Sequence, residues 1–180
     1  MARTVPAVES QAMSGIRIVV RGLPAPAGSK SFKGMSKAGR AILVESSARV
    51  RPWRQDVKLA AEAWREQSRM PTIDGPLRVR MVFTLPKPKS APKTRRTYPD
   101  RKPDVSKLAR STEDALTDAG VWADDARIVG YTRLEKVYPN EDPEALDSPG
   151  VVIVIEPIEP KLAPLSLAGN GSAPPPQSRN

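Results

Sequence analysis

The segment "KPDVSKLARSTEDALTDAGVWADDARIV", Lys102 to Val129, gathers six carboxylates in a chain of formal charge +9. They are Asp104, Glu113, Asp114, Asp118, Asp124 and Asp125. The chain has no histidine and no cysteine. That excludes imidazole and thiolate ligands, a Ser-His pair and a cysteine nucleophile. A metal site here must use oxygen donors, which favours Mg²⁺ or Mn²⁺ over Zn²⁺. Such an ion can bring water and a phosphate together and absorb charge on the non-bridging oxygens. Asp104, at an expected helix start, and Asp125, at an expected strand start, are candidate ligands if that helix packs on the sheet. Asp124 and Asp125 are consecutive, so in extended chain they point to opposite faces and one of them is the direct ligand. Ser106, Arg110 and Glu113 lie within about 60° of one another on the helix, beside its buried face. Arg110 could steady a scissile phosphate, and Glu113 could lean toward a metal held by Asp104. The plainer reading of the same pattern is an amphipathic helix with solvated acids.

These residues need a frame. The order read from the pattern is strand, hairpin, helix, strand, loop, helix, strand, strand, which is one α/β domain with a mixed sheet and two main helices. "IRIVVRGLP" alternates as a first strand, and Ala41–Glu45 closes a glycine-punctuated hairpin. "RPWRQDVKLAAEAWREQSRM" places Trp53, Val57, Ala60, Ala61 and Trp64 at helical spacing. "GPLRVRMVFTLP" is a strand with one buried and one partly basic face. From Asp104, residues Val105, Leu108, Ala109, Thr112, Ala115, Leu116 and Ala119 mark one buried helix face, closed by Gly120. "ARIVGYTRLEKVYP" and the apolar "SPGVVIVIEP" follow as strands, the latter interior, with "PNEDPEALD" an acidic surface turn between them. Residues 1–15 are an expected flexible leader, 16–157 the folded domain and 158–180 a Pro/Ser-rich disordered tail.

The charge is unevenly placed: Lys30 to Lys102 holds 19 Lys/Arg against 6 Asp/Glu. "KPKSAPKTRRTYPDRKP" alone, Lys87 to Pro103, has seven basic residues, one acid and four prolines. It cannot be a helix or a central strand, and it reads as a mobile basic flap over a phosphate backbone. Lys30, Lys33, Lys89, Lys93, Arg95, Arg96, Lys107 and Lys136 are the expected DNA contacts. No stretch approaches the ~18 apolar residues of a membrane span, and the start lacks an export-signal pattern. A soluble cytoplasmic protein without membrane contact is expected.

The residues "KPD", "KL", "R", "DALTDAG" and "DDARIV" together resemble the RusA family of Holliday-junction resolvases, small phage and prophage endodeoxyribonucleases. The resemblance is clearest over Lys102–Val129 and extends loosely over Ile16 to Glu156. It implies a homodimeric α/β fold that binds four-way DNA junctions in a bacterial host and makes paired, symmetric, Mg²⁺-dependent nicks in recombination and repair. Carried over, the first motif aspartate is Asp104, the second aspartate of "DD" is Asp125, and the basic residue six positions after the first falls on Arg110. The pattern's aspartate two residues after the first is replaced by Ser106. Either the protein is a catalytically impaired junction-binding relative, or another acid substitutes, for which Glu113 is the expected candidate. The expected set is thus catalytic Asp104, Asp125, Arg110 and Glu113, with Asp104, Asp125, Glu113 and Asp124 around the metal. A third alternative is an interaction protein whose acids merely face solvent.

Overall fold

The computed structural model describes residues 15–28, 30–35, 41–45 and 48–159, with 30–35 and 41–45 as backbone only. Nearly all of the expected leader and of the expected tail lie outside these residues. The expected element order is met. Strand β1 is Ile16–Arg21, β2 is Lys30–Met35 and β3 is Ala41–Glu45; helix α1 spans Val50–Ser68 and strand β4 Leu77–Thr84. Helix α2 is Val105–Asp118, followed by a 3₁₀ turn at Asp125–Arg127, β5 at Ile128–Val137 and β6 at Gly150–Pro157. The main sheet runs β1-β6-β4-β5, and β2-β3 form a separate antiparallel hairpin. Only the β4–β5 pairing is parallel, so the sheet is mixed as expected. β6 is interior, hydrogen-bonded on both sides, which is why "GVVIVI" is apolar on both faces.

Both helices cover one face of the sheet. Leu77, Val79, Met81 and Phe83 of β4 and Val151, Ile153 and Ile155 of β6 meet Trp53, Val57 and Ala61 of α1 and Leu108, Ala115 and Leu116 of α2 in one core. The Trp53 indole donates to the Thr112 hydroxyl at 3.2 Å, tying the helices and giving the buried indole N–H its partner. Gly120, with φ +70°, adopts the left-handed turn that ends α2. α2 has no basic residue in its last turn; Arg65 of α1 serves instead, donating to the Ala119 carbonyl at 2.9 Å.

Three local expectations are corrected. Asp125 does not begin a strand: the Asp124 carboxylate accepts from the Ala126 amide at 2.8 Å and winds the chain into the 3₁₀ turn ahead of β5. The acidic stretch after β5 is a surface turn, but not one left free in solvent. It folds over the sheet face opposite the helices, where the Leu146 amide donates to the buried Thr84 hydroxyl and Glu144 pairs with Arg80. The outer face of β4 is therefore covered toward Thr84, while Arg78 stays exposed and keeps it partly basic as expected. Asp142 is almost wholly enclosed, its side chain 3% exposed between Arg133 and Arg96. Finally, the proline-rich basic segment is anchored rather than free. Lys87 pairs with Glu141, the Thr97 amide and hydroxyl both donate to Glu141, and Arg96 pairs with Asp142 at 3.0 Å. Alternating basic and acidic loops, each unable to form regular structure, satisfy one another's charges. No helix among the described residues is long and apolar enough to cross a membrane.

Candidate active site

The six carboxylates of the motif do not form one cluster. Asp114 and Asp118, on the α1-facing flank of α2, both pair with Arg54, at 3.4 and 2.8 Å. Asp124 caps the 3₁₀ turn. That leaves Asp104, Glu113 and Asp125 for chemistry.

Asp104 occupies the N-cap of α2, with extended backbone, yet its side chain makes no capping hydrogen bond. It is half exposed and pairs with Lys107 at 3.4 Å, its only ion pair among the described residues. A carboxylate at this position ordinarily satisfies the free amides of the first turn. Here it is turned outward, which costs the helix a cap and leaves a carboxylate on the wall of a groove. The peptide bond just before it, Lys102–Pro103, is cis. Ser106 and Arg110 are exposed on the same helix.

Glu113 lies nine residues further along, about 13 Å up the helix axis. It is buried, 9% exposed, and accepts a short hydrogen bond from the Tyr131 hydroxyl of β5. Burial holds its carboxyl above the usual carboxylate range; the charges of Asp125 and Asp114 add to this, while the Tyr131 hydroxyl and Arg110 oppose it. Burial and the bond to Glu113 likewise push the Tyr131 phenol upward. Asp125 is thus a neighbour of the Glu113–Tyr131 pair; its own carboxylate is exposed and makes no side-chain bond among the described residues. The structure brings Glu113 and Asp125 together with Tyr131 and Arg110, and records no bond between that group and Asp104. Among the described residues no three acidic side chains form a metal-binding group. The donors nonetheless suit a hard cation in kind, all being oxygens, and Mg²⁺ commonly takes one or two carboxylates together with substrate phosphates.

The expected DNA contacts divide in two. Lys89, Lys93 and Arg95 are exposed and carry no ion pair or hydrogen bond among the described residues. Arg96 is paired with Asp142 and stands 4.9 Å over the Tyr98 ring. Lys107 pairs with Asp104, and the Lys136 ammonium donates to the Arg101 and Pro103 carbonyls at 2.9 Å, fastening the chain just ahead of Asp104. Lys30 and Lys33 fall in β2, whose side chains are outside the described residues.

The Tyr131 contact and the burial of Glu113 are not evident from the sequence. Tyr131 is one strand residue among many. Glu113 is expected beside the buried face, although it stands four residues after Ala109 and three before Leu116, both buried. That spacing is the signal that it points inward.

The comparison with family models follows the same residues. The chain matches the model described as Endodeoxyribonuclease RusA over residues 24–156, a span that includes both helices, the basic loop and every carboxylate discussed above. The protein belongs to the RusA endodeoxyribonuclease family. No curated protein matches the chain significantly.

Proposed function

We propose that this protein is a structure-selective DNA endonuclease that resolves four-way junctions by paired, symmetric nicks. The observation that carries the reading is the family match over 24–156. Its support within the fold is the outward-turned Asp104 beneath a loop that presents unpaired cations. In this reading Lys89, Lys93 and Arg95 hold backbone phosphates, and Arg110 offsets charge near the scissile phosphate. Tyr131 orients Glu113 and keeps its proton affinity from rising further. Asp125 and Glu113 would hold Mg²⁺ or Mn²⁺, which when bound supplies an activated water and charge neutralisation, while Asp104 lies too far along α2 to share that ion with Glu113. A two-fold homodimer is the natural arrangement for cutting opposite strands symmetrically. Action in the bacterial cytoplasm, on recombination intermediates of phage or prophage origin, completes the proposal.

Ser106 favours a second reading. A neutral hydroxyl where the family pattern has an aspartate, with no three acids grouped among the described residues, suits a junction-binding relative that has lost cleavage. Synthetic four-way junctions with and without Mg²⁺ or Mn²⁺, set against linear duplex, separate the two. Nicking that depends on the ion and disappears in Asp104→Asn supports the nuclease. Salt-sensitive junction binding with no nicking under any ion supports the binding protein. Cleavage that survives Glu113→Gln while Asp104→Asn abolishes it would remove Glu113 from the site.

A further inference from the structure

The N-terminal ends of α1 and α2 open onto one groove of ≈ 950 Å³, and Asp104 stands on its wall. Its floor is apolar: Pro24, Ala25, Leu85, Pro99 and Tyr138 line it and are all buried. Its rim is cationic. Arg49, Arg101, Lys102 and Lys107 line it against a single acid, Asp104. Only Lys107 among those four has an ion pair among the described residues.

A phosphate alone does not need an apolar hollow, and an apolar side chain does not need four surrounding cations. A nucleotide lifted out of its stack presents both surfaces at once, a flat apolar base between two charged phosphates. Duplex interior bases cannot reach such a hollow without losing their stacking, which costs a few kcal/mol and least where the neighbour is already missing. Bases at the exchange point of a branched molecule are the ones so placed. We propose that this groove receives an unstacked nucleobase from the strand that passes Asp104. It thereby converts a break in base stacking into binding at the carboxylate. The inference rests on the reading of the protein as a DNA endonuclease and adds the feature by which it distinguishes branched from continuous DNA.

The test uses the full chain without divalent cation and a four-way junction carrying 2-aminopurine at successive positions around the exchange point. The wild type raises the fluorescence several-fold at one position, because the base leaves its neighbours in the stack for a floor made mainly of proline and aliphatic side chains. An abasic residue at that position weakens binding about 10-fold. Ala48 is exposed on the groove wall, so Ala48→Leu puts an aliphatic plug in the hollow without touching the core. In that variant the fluorescence rise and the abasic penalty both disappear while salt-sensitive binding to the junction persists. Tight junction binding with no fluorescence change at any position would overturn the groove and leave the nuclease reading standing. A rise that Ala48→Leu leaves undiminished would place the lifted base elsewhere and overturn it too. Failure to bind any DNA would overturn both.

Discussion

At the scale of single residues, the contrast between Asp104 and Glu113 organises the site. One is an exposed carboxylate that forgoes its cap; the other is buried and held by a phenol. The Tyr131 hydrogen bond favours the charged form of Glu113, so its removal raises the Glu113 pKa further. If cleavage requires ionised Glu113, Tyr131→Phe moves the acidic limb of the pH–rate profile to higher pH, with the rate on the alkaline side of that limb little changed. A profile measured on junction substrate that does not move would separate Tyr131 from the chemistry. The same residues set how much of the site is legible in the sequence. Asp104, Arg110 and Asp125 are readable because a helix start, a helical repeat and an acidic pair are local signals. Their partners are not. Tyr131 is eighteen positions from Glu113, and only the packing of α2 against β5 makes them neighbours. The pairing of Asp114 and Asp118 with Arg54 depends in the same way on the contact between α1 and α2.

At the scale of elements, the basic loop and the acidic turn are two halves of one device. Asp142 and Glu141 are both held below the usual carboxylate range, Asp142 chiefly by Arg133 and Glu141 chiefly by Lys87. Because their folded pKa values are depressed, they contribute stability above the unfolded carboxylate range, about pH 4, and that contribution is lost as the pH falls through their folded values. Asp142→Asn is expected to cost about 2 kcal/mol at neutral pH, since Arg133 keeps Glu135 and Glu144. The difference from wild type should shrink below about pH 4, as urea unfolding over a pH series will read. Protease cleavage between residues 86 and 103 should quicken in the same variant. The sheet makes a sharper demand at Gly150, where a Cβ would stand 2.2 Å from the Val20 carbonyl oxygen. Gly150→Ala should destabilise the domain by about 1–3 kcal/mol, the usual cost of forcing atoms into a packed interior, measured again by urea. The strands and helices are legible from period and punctuation. The anchoring of the loop is not, because opposite charges 46 positions apart, as in Arg96 and Asp142, announce no pairing in a linear pattern.

At the scale of the whole molecule, the net charge of +9 overstates the surface available to a polyanion. Arg21, Arg54, Arg80, Lys87, Arg96, Arg127 and Arg133 are all engaged by carboxylates. Lys89, Lys93 and Arg95 carry no such partner among the described residues, so together with the unpaired cations of the groove rim they should carry the salt dependence of DNA binding. Replacing the three with alanine should flatten the slope of log K against log salt by about 0.9 for each phosphate no longer neutralised. Replacing Lys87 and Arg96 should instead weaken the fold of the loop. The order of the strands has a consequence in time. β1 and β4 are both held by β6, the last of the described strands to leave the ribosome. Until Pro157 has been made, the nascent polypeptide has two strand edges and no strand to join them. The carboxylates and the cations already exist in that interval, but their frame does not. The newly made chain is a loose polycation before it becomes a folded domain, and its assembly waits on the stretch of valine and isoleucine in β6.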